Sequence, residues 1–542
     1  MKFNTYIAVA LGLTSVLFSC QKLDQDPLDA ISESNFWNTE KETLYAVTGL
    51  YSGRRGTDGK LVAGSSWEDG SQIFYMDCTS DNSNSDFPWE GFQALGNGNA
   101  TPTDAGNATT RYSYELIRRA NWILENIDKS PVSETLKNRL KAEVRVIRAY
   151  RYLDMATLFG AVPILTKTVS IEEAYAPANT QKEVLQFVET ELKDAAAILP
   201  VKYDASNVGR MTKGAALGLL ARCYAFQNKH EEVISTTEQI ITSGTYQLFG
   251  DYANLFEEAN ENNSEVMMDI QYVANIQGYT DLGIMMPNLS GGWSSIVPTQ
   301  NLIDAYETKD GEPIGESATY SAAQPYTNRD PRLSATVVYP GALYSGRYFD
   351  PLNPSSKDHP AAADNASSTG YNYKKYLQNP SSYSNVWNVG VNIIVMRYAE
   401  ILLLNAEAKI ESNKIDNSVY EHLNTVRLRA GMPKVNESVY NNQTKLRELV
   451  RREFRVEFAG EGRRRFDIIR WGIADVVMNG PVYGSLSKGS VNPQTGEVTF
   501  TNLTDRFFVE NRIFTKGKNE LWPIPQVVID NSKGTLTQNP NY

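Results

Sequence analysis

The stretch from Ser130 to Leu158 constrains this chain most. Leu136, Leu140, Val144 and Ile147 recur at the spacing of one helical face, and the pattern runs on to Leu158. A helix of this length has to bury its apolar stripe against other helices. Ser130 is placed to cap it with Pro131 at the first helical position, and Phe159-Gly160-Ala161-Val162-Pro163 stops it, because glycine closes a C-terminus and proline cannot continue one. Partners of the same period lie on both sides: Tyr112 to Ile127 before it, then Lys182 to Leu199, Lys213 to Gln227 and Glu231 to Thr242 after it. Short connections between them predict neighbouring helices packed as hairpins, the way a tetratricopeptide-like array buries its faces. A second helical block covers Val395 to Ile410, Ser418 to Arg429 and Thr444 to Phe458. The fold class read from these patterns is mostly α, a tetratricopeptide-like helical-hairpin scaffold over about 110–243 and 393–475.

Between the blocks, about 244–392 is rich in Gly, Pro, Ser, Asn and Tyr and holds no helical period; about 60–105 has the same character. Both read as a loop-rich lobe carried on the helices, with too many aromatics for a disordered linker. The first residues read as an address. Lys2 precedes an apolar run, Ile7 to Phe18, that ends at Cys20, as in a lipoprotein signal. Residues 1–19 are therefore expected to be a signal peptide, Cys20 the lipidated residue, and 20–542 one domain held at a membrane by acyl chains.

Composition removes several functional classes. The 63 Asp+Glu against 52 Lys+Arg give a net charge of −11, which disfavours nucleic acid as a partner. Three His and three Cys leave no multi-histidine metal cage and no disulfide framework. Cys223 sits in a helical pattern as a small apolar residue, and Cys78 is remote from it in sequence. His230 and His422 fall on charged helix faces where solvation is expected. Asp81 to Asp86 alternates oxygen side chains as calcium sites do, but lacks their distal Glu and Gly spacing. No nucleophile elbow, zinc triad or phosphate loop is present. No metal, cofactor or catalytic residue is assigned, and the chain is read as a non-enzyme.

Several segments jointly resemble the SusD/RagB family of outer-membrane nutrient-binding lipoproteins. They are Ala142-Glu143-Val144-Arg145-Val146-Ile147-Arg148-Ala149-Tyr150 leading to Leu158-Phe159-Gly160-Ala161-Val162-Pro163, Arg397-Tyr398-Ala399-Glu400 through Ala408, and Arg451-Arg452-Glu453-Phe454 through Trp471-Gly472. Leu521-Trp522-Pro523-Ile524-Pro525-Gln526 and the closing Gln538-Asn539-Pro540-Asn541-Tyr542 complete the set. Asn541 stands where such sequences often have Gly, a substitution that left-handed geometry tolerates. The resemblance implies tetratricopeptide helices supporting a variable ligand face, and a SusC-like TonB-dependent transporter as partner. The arginines between Arg447 and Arg470 alternate with acids, so they are expected to satisfy one another through side-chain pairs rather than to form an anion site. Trp522, among apolar neighbours, is expected in the core.

A sugar offers flat C–H faces and rims of hydroxyls, so its site needs aromatic platforms with short polar side chains. Three loop clusters fit. The first holds Trp67, Phe74, Tyr75, Asp77, Asp81, Asp86, Trp89 and Asn97; the second Tyr279, Asn288 and Trp293, the last after Gly291-Gly292; the third Tyr371, Tyr373, Tyr376, Tyr383 and Trp387. Trp293 and Trp89 lead the candidate list. The resulting expectation is a non-catalytic, lipid-anchored glycan-binding protein exposed at the outer membrane, capturing oligosaccharides or polysaccharides for a SusC-like transporter. The alternatives are a RagB-like oligopeptide receptor and a surface glycoside hydrolase.

Overall fold

The computed structural model describes residues 36–542 apart from 58–61, 63, 171, 363 and 364. Cys20 and the expected signal peptide lie outside the described residues. The first helix among the described residues is α1 (Glu40–Ser52), whose N-terminus is closed by a capping box between Thr39 and Glu42. Two short helices follow, α2 (Gly70–Met76) and α3 (Gln93–Asn97). The scaffold proper is α4 (Glu115–Asn126), α5 (Glu134–Phe159), α6 (Gln181–Ile198), α7 (Lys213–Phe226) and α8 (His230–Thr242). After the lobe it resumes with α9 (Tyr398–Glu411), α10 (Asn417–Arg429), α11 (Gln443–Glu457) and α12 (Arg464–Arg470). Each of α4 to α9 packs on the next, including α8 on α9 across the roughly 150 residues between them, and α9 also packs on α11, so the lobe is carried by a continuous stack of helices.

Three helix starts differ from the sequence expectation, the first being α4, which begins at Glu115 rather than Tyr112. Ser133, not Ser130, caps α5 by accepting from Leu136 N, while Ser130 shares a 2.5 Å hydrogen bond with Thr43 on α1. Pro131 therefore precedes the helix rather than opening it. The apolar run at Val395 begins as a strand: pairing with residues 266–270 overrides the helical period until Tyr398.

The lobe is tied together by short ladders between distant segments. β1 (Ser83–Ser85) pairs antiparallel with β3 (Ile296–Pro298), and β2 (Val266–Ile270) with β6 (Ile393–Arg397). β4 (Leu343–Tyr344) and β5 (Arg347–Tyr348) form a hairpin through Ser345 and Gly346, both at positive φ, the geometry of a tight primed turn. β7 (Gly480–Leu486) and β8 (Arg506–Arg512) make a ribbon near the C-terminus. A short helix, α13 (Gln526–Asn531), precedes the final turn, where Asn541 has φ 67°.

Buried charge joins scaffold to lobe. Arg397, at the end of β6, is enclosed by Glu265 (2.9 Å), Glu457 (2.6 Å) and Glu461 (2.8 Å), with its guanidinium 4.3 Å over the Phe458 ring. The arginines of 447–470 are largely ion-paired, but mostly with acids remote in sequence rather than with their neighbours. Arg464 and Arg455 meet Asp81, Arg452 meets Glu307, Arg447 meets Glu411, and Arg470 meets Glu407. Arg465 instead donates to the backbone carbonyls of Asn519 and Glu520. Trp522 is buried, edge-on to Phe159 at the end of α5. Cys78 and Cys223 are buried and unbonded.

Candidate functional site

The β1–β3 ladder decides which loops meet. Its register sets Ser85 opposite Ile296, and Asp86 N donates to Ser295 O at 3.0 Å, extending the pairing by one step. Trp89 lies four residues beyond the end of β1 and Trp293 three residues before β3, so both tryptophans leave the same end of one ribbon.

On the β1 side, Phe87 and Pro88 lead into a 3-10 turn closed by Gly91 at φ 79°. The Phe87 ring lies 4.8 Å beneath the Trp89 indole with an interplanar angle of 18°, holding it flat, and Trp89 is 79% exposed. On the β3 side, Gly291 (φ 86°) closes a turn over Asn288–Ser290, and a Cβ on Gly292 would meet Met286 at 2.3 Å, so only glycine fits. Ser294 is held in left-handed backbone (φ 48°) by bonds from its N and Oγ to Met286 O. Together with Trp293 N to Gly283 O (3.1 Å), these bonds fix the loop and leave the Trp293 indole 48% exposed. Trp387 stands behind it, half-buried, with ring centroids 4.6 Å apart and a tilt of 42°, in space left by the absent side chain of Gly283. Asn288, also half-buried, donates to Lys357 O at 3.0 Å.

Asp86 clamps this end of the ribbon. It accepts from Ser368 N (2.8 Å), Ser368 Oγ and Asn84 Nδ2. Burial raises its pKa to about 7 against those hydrogen bonds. The adjacent Glu90 carboxyl is also pushed up, by burial first.

Four of the other sequence candidates do not reach the surface. Trp67 is buried against Tyr150 of α5 (5.4 Å, edge-on), and Tyr75 stacks on Phe92 at 4.9 Å. Tyr279 packs on Tyr272 and Phe74, and pairs its backbone with Val389. Asp77 is enclosed, accepts from Gly460 N, and is raised by burial to about 7. These four are therefore corrected from ligand contacts to supports. Tyr371, Tyr373 and Tyr376 of the third cluster are buried as well. Asp81 is not available to a cation: burial works against its charge, but Arg455 and Arg464 outweigh it and hold it at about 2. His422 is also less solvated than its helix face implies, burial pressing it down to about 4. Asp86, named in the first cluster as a ligand contact, is instead this clamp. Phe87 and Ser368 were missed; only the Phe-Pro-Trp order hinted at a ring fixed beneath Trp89.

Exposed, rigidly backed indoles on loops carried by a stable scaffold can stack on a flat apolar ligand face at little ordering cost. Such a helical scaffold with a loop-borne binding face is the class of protein that comparison with known families resolves. The SusD family model matches residues 253–542, and a second, described as starch-binding associating with the outer membrane, matches residues 62–225. The chain belongs to the SusD family, and the description of the second model gives the outer membrane as the location. A SusD-like carbohydrate-binding protein from Bacteroides fragilis is 32% identical, with 92% of this chain and 99% of that one covered and a TM-score of 0.81. A SusD-like protein of Formosa agariphila is 27% identical over 87% of this chain and 91% of its own. Surface glycan-binding protein A from Bacteroides thetaiotaomicron, solved with laminarihexaose, shares the fold at 22% identity, with 93% and 100% covered and a TM-score of 0.68.

Proposed function

We propose that this chain is a non-catalytic glycan-binding lipoprotein that captures oligosaccharides at the cell surface and delivers them to a SusC-like TonB-dependent transporter. The observation that carries the reading is the pair of exposed indoles, Trp89 and Trp293, leaving one end of the β1–β3 ribbon with a ring packed against each. Membership in a family with a starch-binding description, and a carbohydrate-binding relative at 32% identity, support a sugar as the ligand. Trp293, Trp89 and Trp387 are the proposed platforms, with Asn288 at their edge. Lipidation at Cys20 would hold the receptor at the membrane, and a receptor confined beside its transporter releases ligand into an enclosed volume, so modest affinity suffices.

The test is capture of soluble polysaccharides on affinity gels, joined to purification of the full chain from membranes in mild detergent. Retarded migration on at least one polysaccharide and a co-purifying large transporter are expected. Cys20→Ala should remove acyl labelling. Migration unchanged on every polysaccharide, together with a receptor that purifies alone, would contradict the reading.

A further inference from the structure

Most arginines that reach the interior of this protein meet a carboxylate: Arg332 meets Asp330 and Glu453, Arg464 meets Asp81, and Arg470 meets Glu407 and Asp467. Arg347 is an exception at a telling place. It follows the tight turn of the β4–β5 hairpin, so its backbone is fixed, and it is half-buried. Its Nη2 donates at 2.8 Å to Ser290 Oγ, in the same bonded turn that presents Trp293 three residues later. Among the described residues no carboxylate lies within ion-pair distance of it. Asp358 is near enough to feel its charge, but that carboxylate is buried and accepts from Leu289 N at 2.8 Å. The exposed residue beside it, Lys357, receives Asn288 at its backbone carbonyl.

A guanidinium that is oriented by one hydrogen bond and, among the described residues, makes no ion pair matches the paired oxygens of an anion. Taken with the reading of Trp293 as a sugar platform, on which it rests, we infer that the ligand is an acidic glycan whose uronate carboxylate or sulfate ester is read by Arg347 while a ring stacks on Trp293. The starch named in the family description carries no such group, so the inference sets this chain's specificity apart from it.

The test is titration of the full-length mature protein with alginate, polygalacturonate and carrageenan, against laminarin, starch and galactomannan. Binding to at least one of the first three is expected, with alginate or polygalacturonate marking a carboxylate and carrageenan a sulfate. Arg347→Ala should weaken it about ten- to a hundredfold, the range for hydrogen bonds to a charged group, without lowering the melting temperature. Arg347→Lys should recover only part, since it keeps charge but not the fork. Affinity should also fall between about 50 and 500 mM salt, as the screening length shortens. Binding confined to the neutral glycans and lost in Trp293→Ala would overturn the acidic-ligand inference while leaving the glycan reading standing. No binding to any of the six would overturn both.

Discussion

Trp522 is a tryptophan of the framework and closes the end of α5: its N donates to Leu158 O at 2.7 Å, Asn539 Nδ2 donates to its carbonyl at 2.8 Å, and Arg465 lies 5.5 Å over its ring. Removing that ring leaves a cavity, so Trp522→Ala should cost about 3–5 kcal/mol of stability, read by thermal melting, with glycan affinity retained in the folded fraction. Asp77 carries a second residue-scale prediction. One of its carboxyl oxygens, Oδ1, has no hydrogen-bond partner, and burial raises its pKa to about 7, above the ordinary value near 4. The folded state therefore holds a proton that the unfolded chain releases. This contribution to stability is present below about pH 4 and is lost as the pH rises toward 7. Asp77→Asn should flatten that part of the profile by roughly 2–4 kcal/mol in urea unfolding between pH 4 and 8; parallel profiles for the two proteins would contradict it.

At the scale of elements, the helices were legible because a 3.6-residue period and its stop signals are local. The Gly160 cap, at φ 75°, and the spans of α6, α7, α8, α10 and α11 follow from them to within about a residue. The capping box Thr39–Glu42 announced α1 in the same way, but no long apolar period drew attention to it. Strand-like segments were legible at the C-terminus, where β7 and β8 lie, but the strands of the lobe were not. β1 has three residues, Ser-Asn-Ser, and its partner lies more than 200 residues away, so only the folded lobe defines that pairing. For the same reason sequence could not separate Trp67 from Trp89: both sit among Gly, Ser, Asn and Asp, and only packing against α5 tells which is core. The β7–β8 ribbon supplies a test of how the site is supported. A Cβ on Gly484 would stand 2.0 Å from Thr369 O, next to the Ser368 that clamps Asp86. Gly484→Ala should push the ribbon and that turn apart, weakening glycan binding several-fold through a position no ligand touches. Binding equal to wild type would show that the clamp does not govern the platforms.

For the whole molecule, the charge network around Arg397 unites what the sequence separates. Glu265 opens the lobe, β6 closes it, and Glu457 and Glu461 come from the end of α11 and the turn after it. The alternation of charge within 447–470 correctly predicted neutralisation but not its partners, because pairing of buried ions follows tertiary contact rather than spacing along one helix. Arg397→Gln leaves three carboxylates buried with less compensation and should destabilise the protein by about 3–5 kcal/mol, seen as a lower denaturant midpoint. The most direct test of the account is calorimetric titration of the wild-type protein and its Trp293→Ala variant with a glycan that the wild type binds. The account predicts an affinity about tenfold weaker or more in the variant, from loss of a stacked face contributing roughly 1–2 kcal/mol, with an unchanged melting temperature. Undiminished affinity, or a variant that loses several kcal/mol of stability while its folded fraction still binds, would place Trp293 in the framework and contradict the assigned face.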